Sequence, residues 1–406
     1  MAKIIILGAG VTGVTSAYAL LKRGHEVVVI DKLRYPAMET SYANGGQLSA
    51  SNSEVWNSWA TMVKGLRWIF RPDAPLLLNP APSLHKYGWL AEFAAQMGDA
   101  RANTLATTRL AIAARAHLFG MAEAEGIDFD LEKRGLLHFY RDKAGFEVAE
   151  RANLILCEAG LDRYAVTPSE MRQVEPALRG EFYGGFYAPS DASGDIHKFT
   201  RGLAAACARK GAVFHFETQV ESIEAGADGA TLRVSGAEAE PVLRGDAVLI
   251  CAGVASRRFA ASLGDRVNIY PVKGYSITVP LADPASRTAA PWTALLDESA
   301  KIVTSRFGQD RFRIAGTAEL NGYNKDIRAD RIAPLLRWCE ALFPEVETSA
   351  AIPWAGLRPM TPTMLPKVGR GRRERVFYNT GHGHLGWTLS GATAEMAAEA
   401  IDKALA

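Results

Sequence analysis

Short runs of apolar residues without a polar position recur along the chain, separated by longer stretches with helical spacing. The first two runs, 4–7 and 27–30, are typical of parallel strands that are buried on both faces of a sheet. Between them lies a segment of helical composition, and Gly24 is well placed to end that helix. The pattern therefore predicts a strand, a helix and a second strand at the N-terminus.

The rest of the chain mixes helical spacing with alternation of apolar and polar positions. Helices are predicted over 101–126, 146–159, 168–174, 196–209, 330–343 and from about 390 to 405. Strands are predicted over 135–140, 213–216, 220–223, 248–253, 276–279, 302–304, 312–315 and 376–379, with a hairpin of 231–234 and 241–243. The small, polar and glycine-bearing segment 40–53 is predicted to be a loop with a functional contact.

Three glycines stand at the junction of the first strand and helix. Gly8 permits a sharp turn, Gly10 lets the backbone approach a pyrophosphate, and Gly13 lets the helix pack closely on the strand. The helix N-terminus offers N–H groups to phosphates, and Asp31 can accept hydrogen bonds from ribose hydroxyls. An ordinary turn with an acidic cap is the alternative, but the order of the elements favours a dinucleotide site and hence a redox enzyme.

Length and composition place the chain among globular proteins of one or two domains. It has 406 residues, 48% of them hydrophobic, and its net charge of +2 gives no reason to expect a nucleic-acid partner. There is no signal peptide and no apolar run of about 18 residues, so we expect a cytoplasmic protein. The four cysteines form no CxxC pair, which favours buried free thiols over a metal site. They are Cys157, Cys207, Cys251 and Cys339.

The α/β character is concentrated in three separated parts of the chain, at its two ends and in its middle. Antiparallel strands and additional helices fill the intervals. We therefore predict an α/β fold in which a Rossmann-like nucleotide domain is built from discontinuous segments, and a second domain of α+β type carries a mixed or antiparallel sheet. The predicted segments are 1–50, 195–265 and 355–406 for the first domain, and 51–194 and 266–354 for the second.

Four further motifs follow the glycine unit in order. They are 41–47 (SYANGGQ), 271–276 (PVKGYS), 354–362 (WAGLRPMTP) and 379–388 (NTGHGHLGWT). Together they resemble the small-subunit type of bacterial D-amino acid dehydrogenase, within the FAD-dependent amine-oxidising group that includes D-amino acid oxidase and glycine oxidase. The resemblance covers essentially the whole chain. Its departures at Met364 and His384 are where we expect differences in substrate specificity.

This resemblance implies FAD as the cofactor of the first domain, with the mixed sheet of the second domain lying over the flavin. It implies oxidative deamination of a D-amino acid to a 2-oxo acid and ammonia, by hydride transfer to flavin N5. Electrons would pass to a respiratory acceptor of quinone type at the inner face of the cytoplasmic membrane. We assign no general base, because a substrate that binds with a neutral amine needs none.

Three residues are candidates for contact with the substrate. Arg358 offers two parallel donors to a carboxylate, although most arginines in such a chain make structural ion pairs. Tyr275 either donates to the same carboxylate or is a half-buried aromatic at the start of a strand. His384 either faces the substrate, as the resemblance implies, or is a satisfied loop histidine.

The cofactor candidates come from the glycine unit, the 41–47 loop, the second buried strand and the C-terminal glycine loop. In the last of these, backbone N–H groups and the positive end of the following helix would stabilise negative charge on the flavin. Asn44 and Gln47 are candidate donors to flavin N5 or O4, or else bond to their own loop. The predicted cofactor-binding residues are Gly8, Gly10, Val11, Thr12, Gly13, Asp31, Lys32, Ser41, Tyr42, Asn44, Gly45, Gly46, Gln47, Val220, Cys251, Ala252, Gly253, Gly381, His382, Gly383, Leu385, Gly386, Trp387 and Thr388.

The sequence leaves other functions open. They are an oxidase in which oxygen reoxidises the flavin, an enzyme of cyclic imino acids such as D-hydroxyproline, a flavoprotein subunit that only transfers electrons, and an NAD-binding protein. The late glycine loop speaks against NAD, and the motif around Arg358 speaks against a non-catalytic subunit. The oligomeric state is open as well.

The segment 55–93 is unusual because it holds Trp56, Trp59, Trp68 and Trp89. The apolar residues of its first part follow a helical spacing. A helix that faces the core is the first interpretation. An interfacial segment over 55–82 that contacts a membrane or an electron acceptor is the second.

Overall fold

The computed structural model describes residues 1–57, 75–236 and 240–406. Its strands are β1 (Lys3–Leu7), β2 (Glu26–Ile30), β3 (Gln47–Leu48), β4 (Leu76–Leu78), β5 (Leu136–Tyr140), β6 (Tyr164–Val166), β7 (Gly184–Ala188), β8 (Ala192–Ser193), β9 (Val213–His215), β10 (Gln219–Gly226), β11 (Gly229–Ser235), β12 (Val242–Gly245), β13 (Ala247–Ile250), β14 (Tyr270–Pro280), β15 (Ala294–Asp297), β16 (Ile302–Phe307), β17 (Arg311–Leu320), β18 (Ile352–Met360), β19 (Lys367–Arg370) and β20 (Val376–Thr380). Its helices are α1 (Val11–Lys22), α2 (Leu84–Ala95), α3 (Ala100–Glu125), α4 (Lys143–Glu158), α5 (Pro168–Val174), α6 (Ile196–Arg209), α7 (Ser256–Ser262), α8 (Pro284–Ala289), α9 (Ala329–Leu342) and α10 (Gly386–Leu405).

The N-terminal glycine unit lies at the centre of a six-stranded sheet in the order β19-β20-β13-β1-β2-β9. All neighbours in this sheet are parallel except the edge strand β19. Because the central strands consist mainly of Ile, Leu and Val, they require cover on both faces. On one face, α1, α6 and α10 provide it through residues such as Val14, Leu203 and Ala397. Distant chain segments thus build one Rossmann-like unit, as the sequence predicts.

The other face of this sheet packs against a three-stranded antiparallel sheet, β10-β11-β12. Ile5 and Val28 of the parallel strands share a core there with Leu232 and with Phe259 of α7. The pairing of β11 with β12 is the hairpin that the sequence predicts for 231–234 and 241–243.

A larger mixed sheet runs in the order β18-β14-β17-β16-β15-β5-β7-β6, with β4 beside β17. Its pairings are antiparallel except β15 with β5 and β17 with β4. Helix α9 packs on it through Leu335 and Trp338, which share a core with Ile277 and Ile314. The boundary predicted before residue 355 falls inside β18, which pairs with β14 along its whole length. The division into domains stays a prediction.

Helix ends follow the expected capping chemistry. Thr167 and Glu170 form a capping box that starts α5, because each side chain accepts the other residue's backbone N–H. The Asp195 side chain caps α6 by accepting the backbone N–H groups of His197 and Lys198. Gly126 ends α3 with a φ of +62°, a conformation that favours glycine. These three helices confirm the predicted segments 168–174, 196–209 and 101–126 to within a residue.

The structure corrects the sequence interpretation at three places. Helix α10 begins at Gly386 instead of near residue 390, after a turn of 3-10 helix over Gly383–Leu385. Strand β18 covers most of the 354–362 motif, where prolines hid the strand; they are tolerated because β18 is an edge strand. Cys157 is exposed, whereas the other three cysteines are buried free thiols.

The predicted helix that begins near Val55 extends into residues 58–74, which lie outside the described residues, and the same holds for Trp59 and Trp68. Trp89 of α2 is buried and packs against Phe93 and Tyr270, so the core interpretation holds for that tryptophan. Among the helices that are described, none is both long and apolar enough to cross a bilayer.

Candidate active site

A cavity of about 790 Å³ lies where the two main sheets meet. Its floor is formed by the carboxyl ends of β1, β2, β13 and β20, the edge at which ligands of parallel sheets bind. Its other walls are the 41–47 loop, the loop before α10 and the strands β14 to β18. All five sequence motifs therefore meet at this cavity from distant parts of the chain, and the 354–362 motif reaches it through β18.

The glycine turn is shaped by close backbone contacts. Gly8 has a φ of +104°, and a Cβ there would lie 2.7 Å from the carbonyl oxygen of Cys251. A Cβ on Gly13 would lie 1.8 Å from the carbonyl oxygen of Gly8. Neither glycine can carry a side chain without opening the turn. Gly13 itself does not line the cavity, so its part is to let α1 approach β1.

Polar groups hold this turn beside the cavity. The Ala9 N–H donates to Asp31 Oδ2 (2.7 Å) and the Leu33 N–H donates to Asp31 Oδ1 (2.9 Å). Burial raises the pKa of Asp31, while these two backbone donors oppose the shift. The Val11 N–H donates to Ser41 Oγ (3.0 Å), which ties the 41–47 loop to the start of α1.

The C-terminal glycine loop forms the side of the cavity opposite the N-terminal glycine turn. A Cβ on Gly381 would lie 2.6 Å from Thr361 Cγ2, and a Cβ on Gly383 would lie 2.7 Å from Met360 Sδ. Both glycines have positive φ, +77° and +59°. Helix α10 then starts at Gly386 without a side-chain cap, and its first residues, Gly386 to Thr388, line the cavity, so the positive end of the helix lies at the cavity wall.

The 41–47 loop is fastened to the larger sheet. Its amide side chains are engaged within the protein: Asn44 Oδ1 accepts the Gly46 N–H (2.9 Å), and Gln47 Nε2 donates to the carbonyl oxygens of Leu295 and Thr304. Gln47 therefore has no amide hydrogen left for a flavin, which corrects its predicted role as a donor. Tyr42 is partly exposed, does not line the cavity and packs on His197.

Arg358 lines the cavity from β18. A Cβ on Gly274, across the ladder on β14, would lie 2.4 Å from the guanidinium carbon and both terminal nitrogens, so this glycine makes the room that Arg358 occupies. Arg358 Nη1 donates to the carbonyl oxygen of Thr317 (2.9 Å). Burial lowers the pKa of Arg358 to about 10, so it stays charged at neutral pH. Within the described ranges, no acid forms an ion pair with it.

Tyr275 lies in the middle of β14 and is buried, not half-buried at the start of a strand. Its hydroxyl donates to Glu319 Oε2 (2.8 Å). Burial and this carboxylate raise the pKa of Tyr275. Because the single hydroxyl hydrogen is engaged, the predicted donation from Tyr275 to a substrate carboxylate is corrected. The ring belongs to the core that Ile277 forms with Leu335 of α9, and Lys273 Nζ lies 3.4 Å from Glu319 Oε2.

The two histidines of the C-terminal loop are uncharged. Burial lowers the pKa of His382 to about 3 and the pKa of His384 to about 4, and Arg358 and Lys301 lower the latter further. The His384 ring stacks on Trp56 with centroids 4.6 Å apart. Its Nε2 lies 3.2 Å from the carbonyl oxygen of Asn52, which fixes the hydrogen on that nitrogen.

Most predicted site residues line this one cavity. The exceptions are Gly13, Tyr42 and Leu385. Cavity residues that were not predicted to contact substrate or cofactor include Trp56, Glu298, Lys301 and Thr317. A signal existed only for Trp56, which stands in the tryptophan-rich segment. The residues predicted for contact that line the cavity are Gly8, Gly10, Val11, Thr12, Asp31, Lys32, Ser41, Asn44, Gly45, Gly46, Gln47, Val220, Cys251, Ala252, Gly253, Tyr275, Arg358, Gly381, His382, Gly383, His384, Gly386, Trp387 and Thr388.

This arrangement fits an FAD. The cavity is continuous from Asp31 and Lys32, beside the first helix, to the loop before α10. The glycine turn and the N-terminus of α1 suit a pyrophosphate, and the carboxylate of Asp31 suits ribose hydroxyls. The N-terminus of α10 suits the negative charge of a reduced ring system.

Comparison with known proteins agrees with this geometry. A family model described as FAD dependent oxidoreductase matches residues 3–400. The chain is 57% identical over 401 residues to D-amino acid dehydrogenase 3 of Mesorhizobium japonicum. The aligned region covers 99% of this chain and 97% of the relative. It is 42% identical to a D-amino acid dehydrogenase of Paramagnetospirillum magneticum, over 98% of this chain and 94% of the relative.

Solved structures share the fold at lower identity. Glycine oxidase from Geobacillus kaustophilus has a TM-score of 0.76 at 22% identity, over 99% of this chain and 95% of that chain. L-proline dehydrogenase from P. horikoshii has a TM-score of 0.75 at 18% identity, over 99% of this chain and 93% of that chain. The predictions of an FAD cofactor and of an oxidoreductase are thereby confirmed. The chain belongs to the family of FAD-dependent oxidoreductases to which these comparisons assign it.

Proposed function

We propose that this protein oxidises D-amino acids at Cα and releases an imine that hydrolyses to a 2-oxo acid and ammonia. The observation that carries the proposal is the Arg358 guanidinium, charged, deep in the cavity and without an acid partner among the described residues. A buried charge needs a counter-ion, and a guanidinium matches a carboxylate with two parallel hydrogen bonds. The names of the curated relatives support a D-amino acid as the source of that carboxylate.

FAD, when bound, supplies the acceptor for the hydride that leaves Cα. The chain's own residues position the substrate. Arg358 holds the carboxylate, and the space left by Gly274 fixes the guanidinium against the Thr317 carbonyl. The neutral His384, stacked on Trp56, walls the cavity next to Arg358 without adding charge.

The proposal is tested by adding substrate to the purified flavoprotein without oxygen. We expect D-alanine to bleach the visible absorbance of the bound flavin and L-alanine to leave it unchanged. Bleaching by neither enantiomer, or by both at equal rates, would reject the proposed substrate class.

We extend the proposal to the electron acceptor and to the location. A quinone-type acceptor, reached from the inner face of the cytoplasmic membrane through residues 55–82, is supported by relatives that are named dehydrogenases. Stoichiometric hydrogen peroxide from D-alanine in air would show that oxygen reoxidises the flavin and would reject this acceptor. Deletion of 56–82 without a change in membrane binding or quinone reduction would reject the contact.

We expect kcat/KM for D-alanine to rise with pH in proportion to the fraction of the substrate amine that is neutral. A plot of log(kcat/KM) against pH should then have a slope of about one. Oxidation needs the lone pair of a neutral amine. Since His382 and His384 have pKa values of about 3 and about 4, both are already unprotonated at neutral pH and add no ionisation there. The measurement is the pH profile of kcat/KM for the wild type and for His384→Asn. Loss of the rising limb in the variant would mean that His384 takes the proton.

A further inference from the structure

A charged turn between β15 and β16 lines the cavity and is not used by the chemistry described so far. Lys301 Nζ donates to Glu298 Oε2 (2.5 Å), and both residues face the cavity. The Glu298 side chain is 26% exposed and the Lys301 side chain is 50% exposed. Leu296 and Val303, on either side of the turn, make the adjoining wall apolar. Charges are costly in such a wall unless they have a partner or a task.

Glu298 is the fixed member of the pair. His138 Nδ1 lies 3.3 Å from Glu298 Oε1, and His138 Nε2 lies 2.8 Å from Ser51 Oγ. Burial lowers the pKa of His138 to about 4, so the neutral ring donates to Glu298 and accepts from Ser51. Burial would raise the pKa of Glu298, but Lys301 and His138 together lower it. The carboxylate is therefore ionised and held in one place.

Lys301 is the exposed member. Its backbone has a φ of +54°, which is unfavourable for a lysine. The turn that forces this geometry is held by Asp297, whose Oδ1 accepts the N–H groups of Ser299 and Ala300. Burial would lower the pKa of Lys301, but Glu298, Glu54 and Asp297 together raise it. Asp297 is itself paired with Arg141 (3.1 Å), so Glu298 is the carboxylate of this turn that lines the cavity. Its Oε2 is occupied by the half-exposed ammonium of Lys301, the same kind of group that a basic side chain presents.

We propose that Glu298 binds the cationic end of the substrate's side chain, so that this site takes basic D-amino acids such as D-lysine. The inference rests on the proposed function, since Arg358 would hold the α-carboxylate of the same molecule. Arg358, His384, Glu298 and Lys301 all line the same cavity, so one substrate can reach both Arg358 and the turn. Leu296 and Val303 offer apolar contact to the methylene chain.

Glu298 is assigned to the side chain and not to the α-amine for a chemical reason. An ionised carboxylate next to the α-amine would hold it as ammonium, which has no lone pair to form the imine. The low pKa of Glu298 also prevents it from taking the proton itself. A terminal side-chain ammonium, by contrast, stays charged throughout the reaction and can keep its partner.

A binding experiment separates this subsite from catalysis. 6-Aminohexanoate has the carboxylate and the terminal ammonium of lysine but no α-amine to oxidise, and hexanoate lacks the ammonium. We expect the wild-type flavoprotein to bind 6-aminohexanoate about 10-fold to 100-fold more tightly than hexanoate by calorimetry. In Glu298→Gln this preference should disappear. An equal affinity for the two ligands in the wild type would overturn the proposal.

Kinetics give the second test. D-Norleucine has the chain length of D-lysine without the ammonium. The ratio of kcat/KM for D-lysine to that for D-norleucine is expected to fall about 10-fold or more in Glu298→Gln. In Lys301→Met, which removes the competing ammonium, the ratio should rise. Glu399→Gln, at an exposed Glu–Lys pair on α10, is the matched control and should leave the ratio unchanged.

The outcomes distinguish the subsite from the proposed function. Equal losses for D-lysine and D-norleucine in Glu298→Gln would reduce Glu298 to a support of the wall and overturn the subsite. A loss confined to D-glutamate in Lys301→Met would overturn it in favour of acidic side chains. Oxidation of D-alanine without any Glu298-dependent preference keeps the function and rejects the subsite. Glu298-dependent binding of 6-aminohexanoate without oxidation of any D-amino acid does the reverse.

Discussion

Arg358→Met is expected to lower kcat/KM for D-alanine by about 100-fold to 1,000-fold while FAD stays bound. The loss follows from removing one member of a desolvated, hydrogen-bonded charge pair, which costs about 3–4 kcal/mol in the bound state. Because the Met side chain has a similar length, the cavity keeps its shape and the flavin contacts persist. The measurement is steady-state kinetics with an artificial electron acceptor, together with the flavin content of the purified variant.

Two further variants show whether the charge or its geometry matters. Arg358→Lys keeps the charge but offers no parallel pair of donors, so only part of the loss should be recovered. Arg337→Met, at an exposed position of α9, is the control for loss of an arginine and should behave as the wild type. Near-normal kinetics of Arg358→Met would remove Arg358 from the substrate site.

Gly13→Ala is expected to yield a protein that loses FAD during purification, with an affinity for FAD at least about 100-fold lower. The added Cβ would lie 1.8 Å from the carbonyl oxygen of Gly8, and backbone atoms cannot move aside as a flexible side chain can. Opening the turn by enough to relieve this contact costs about 1–3 kcal/mol or more, and it displaces the N–H groups that suit a pyrophosphate. Flavin retention and the dissociation constant of FAD are the measurements.

Gly120→Ala is the matched control because Gly120 also lies inside a helix, α3, yet a Cβ there would meet no atom within 4 Å. It should retain FAD and gain a little stability from the reduced entropy of the unfolded chain. If Gly13→Ala kept its flavin as firmly as Gly120→Ala, the glycine turn would not be part of the cofactor site.

The sequence predicted those parts of the site that are local in the chain. The strand, turn, helix and strand of the glycine unit are contiguous, so hydrophobic pattern and glycine spacing sufficed. The motif around Arg358 was informative through family resemblance. The residue that makes room for the guanidinium, Gly274, stood in a quoted motif, but its purpose depends on the pairing of β14 with β18.

What the sequence missed depends on contacts between distant strands. Tyr275 lost its predicted role because Glu319, on the neighbouring strand β17, takes its hydroxyl hydrogen. Glu298 and Lys301 precede the predicted strand 302–304 and belong to none of the sequence motifs, so the sequence offered no reason to select them. The order of strands in the larger sheet places the turn between β15 and β16, which carries both residues, at the cavity.

The joining of distant segments around one cavity also sets an order of events during synthesis. The glycine turn is synthesised well before β20 and the start of α10, which complete the cavity. A nascent chain can form the first strand and helix and still lack the opposite wall for the ring system. Loading of the cofactor therefore has to wait until α10 has been synthesised, and a chain truncated before α10 should not be reconstituted with FAD.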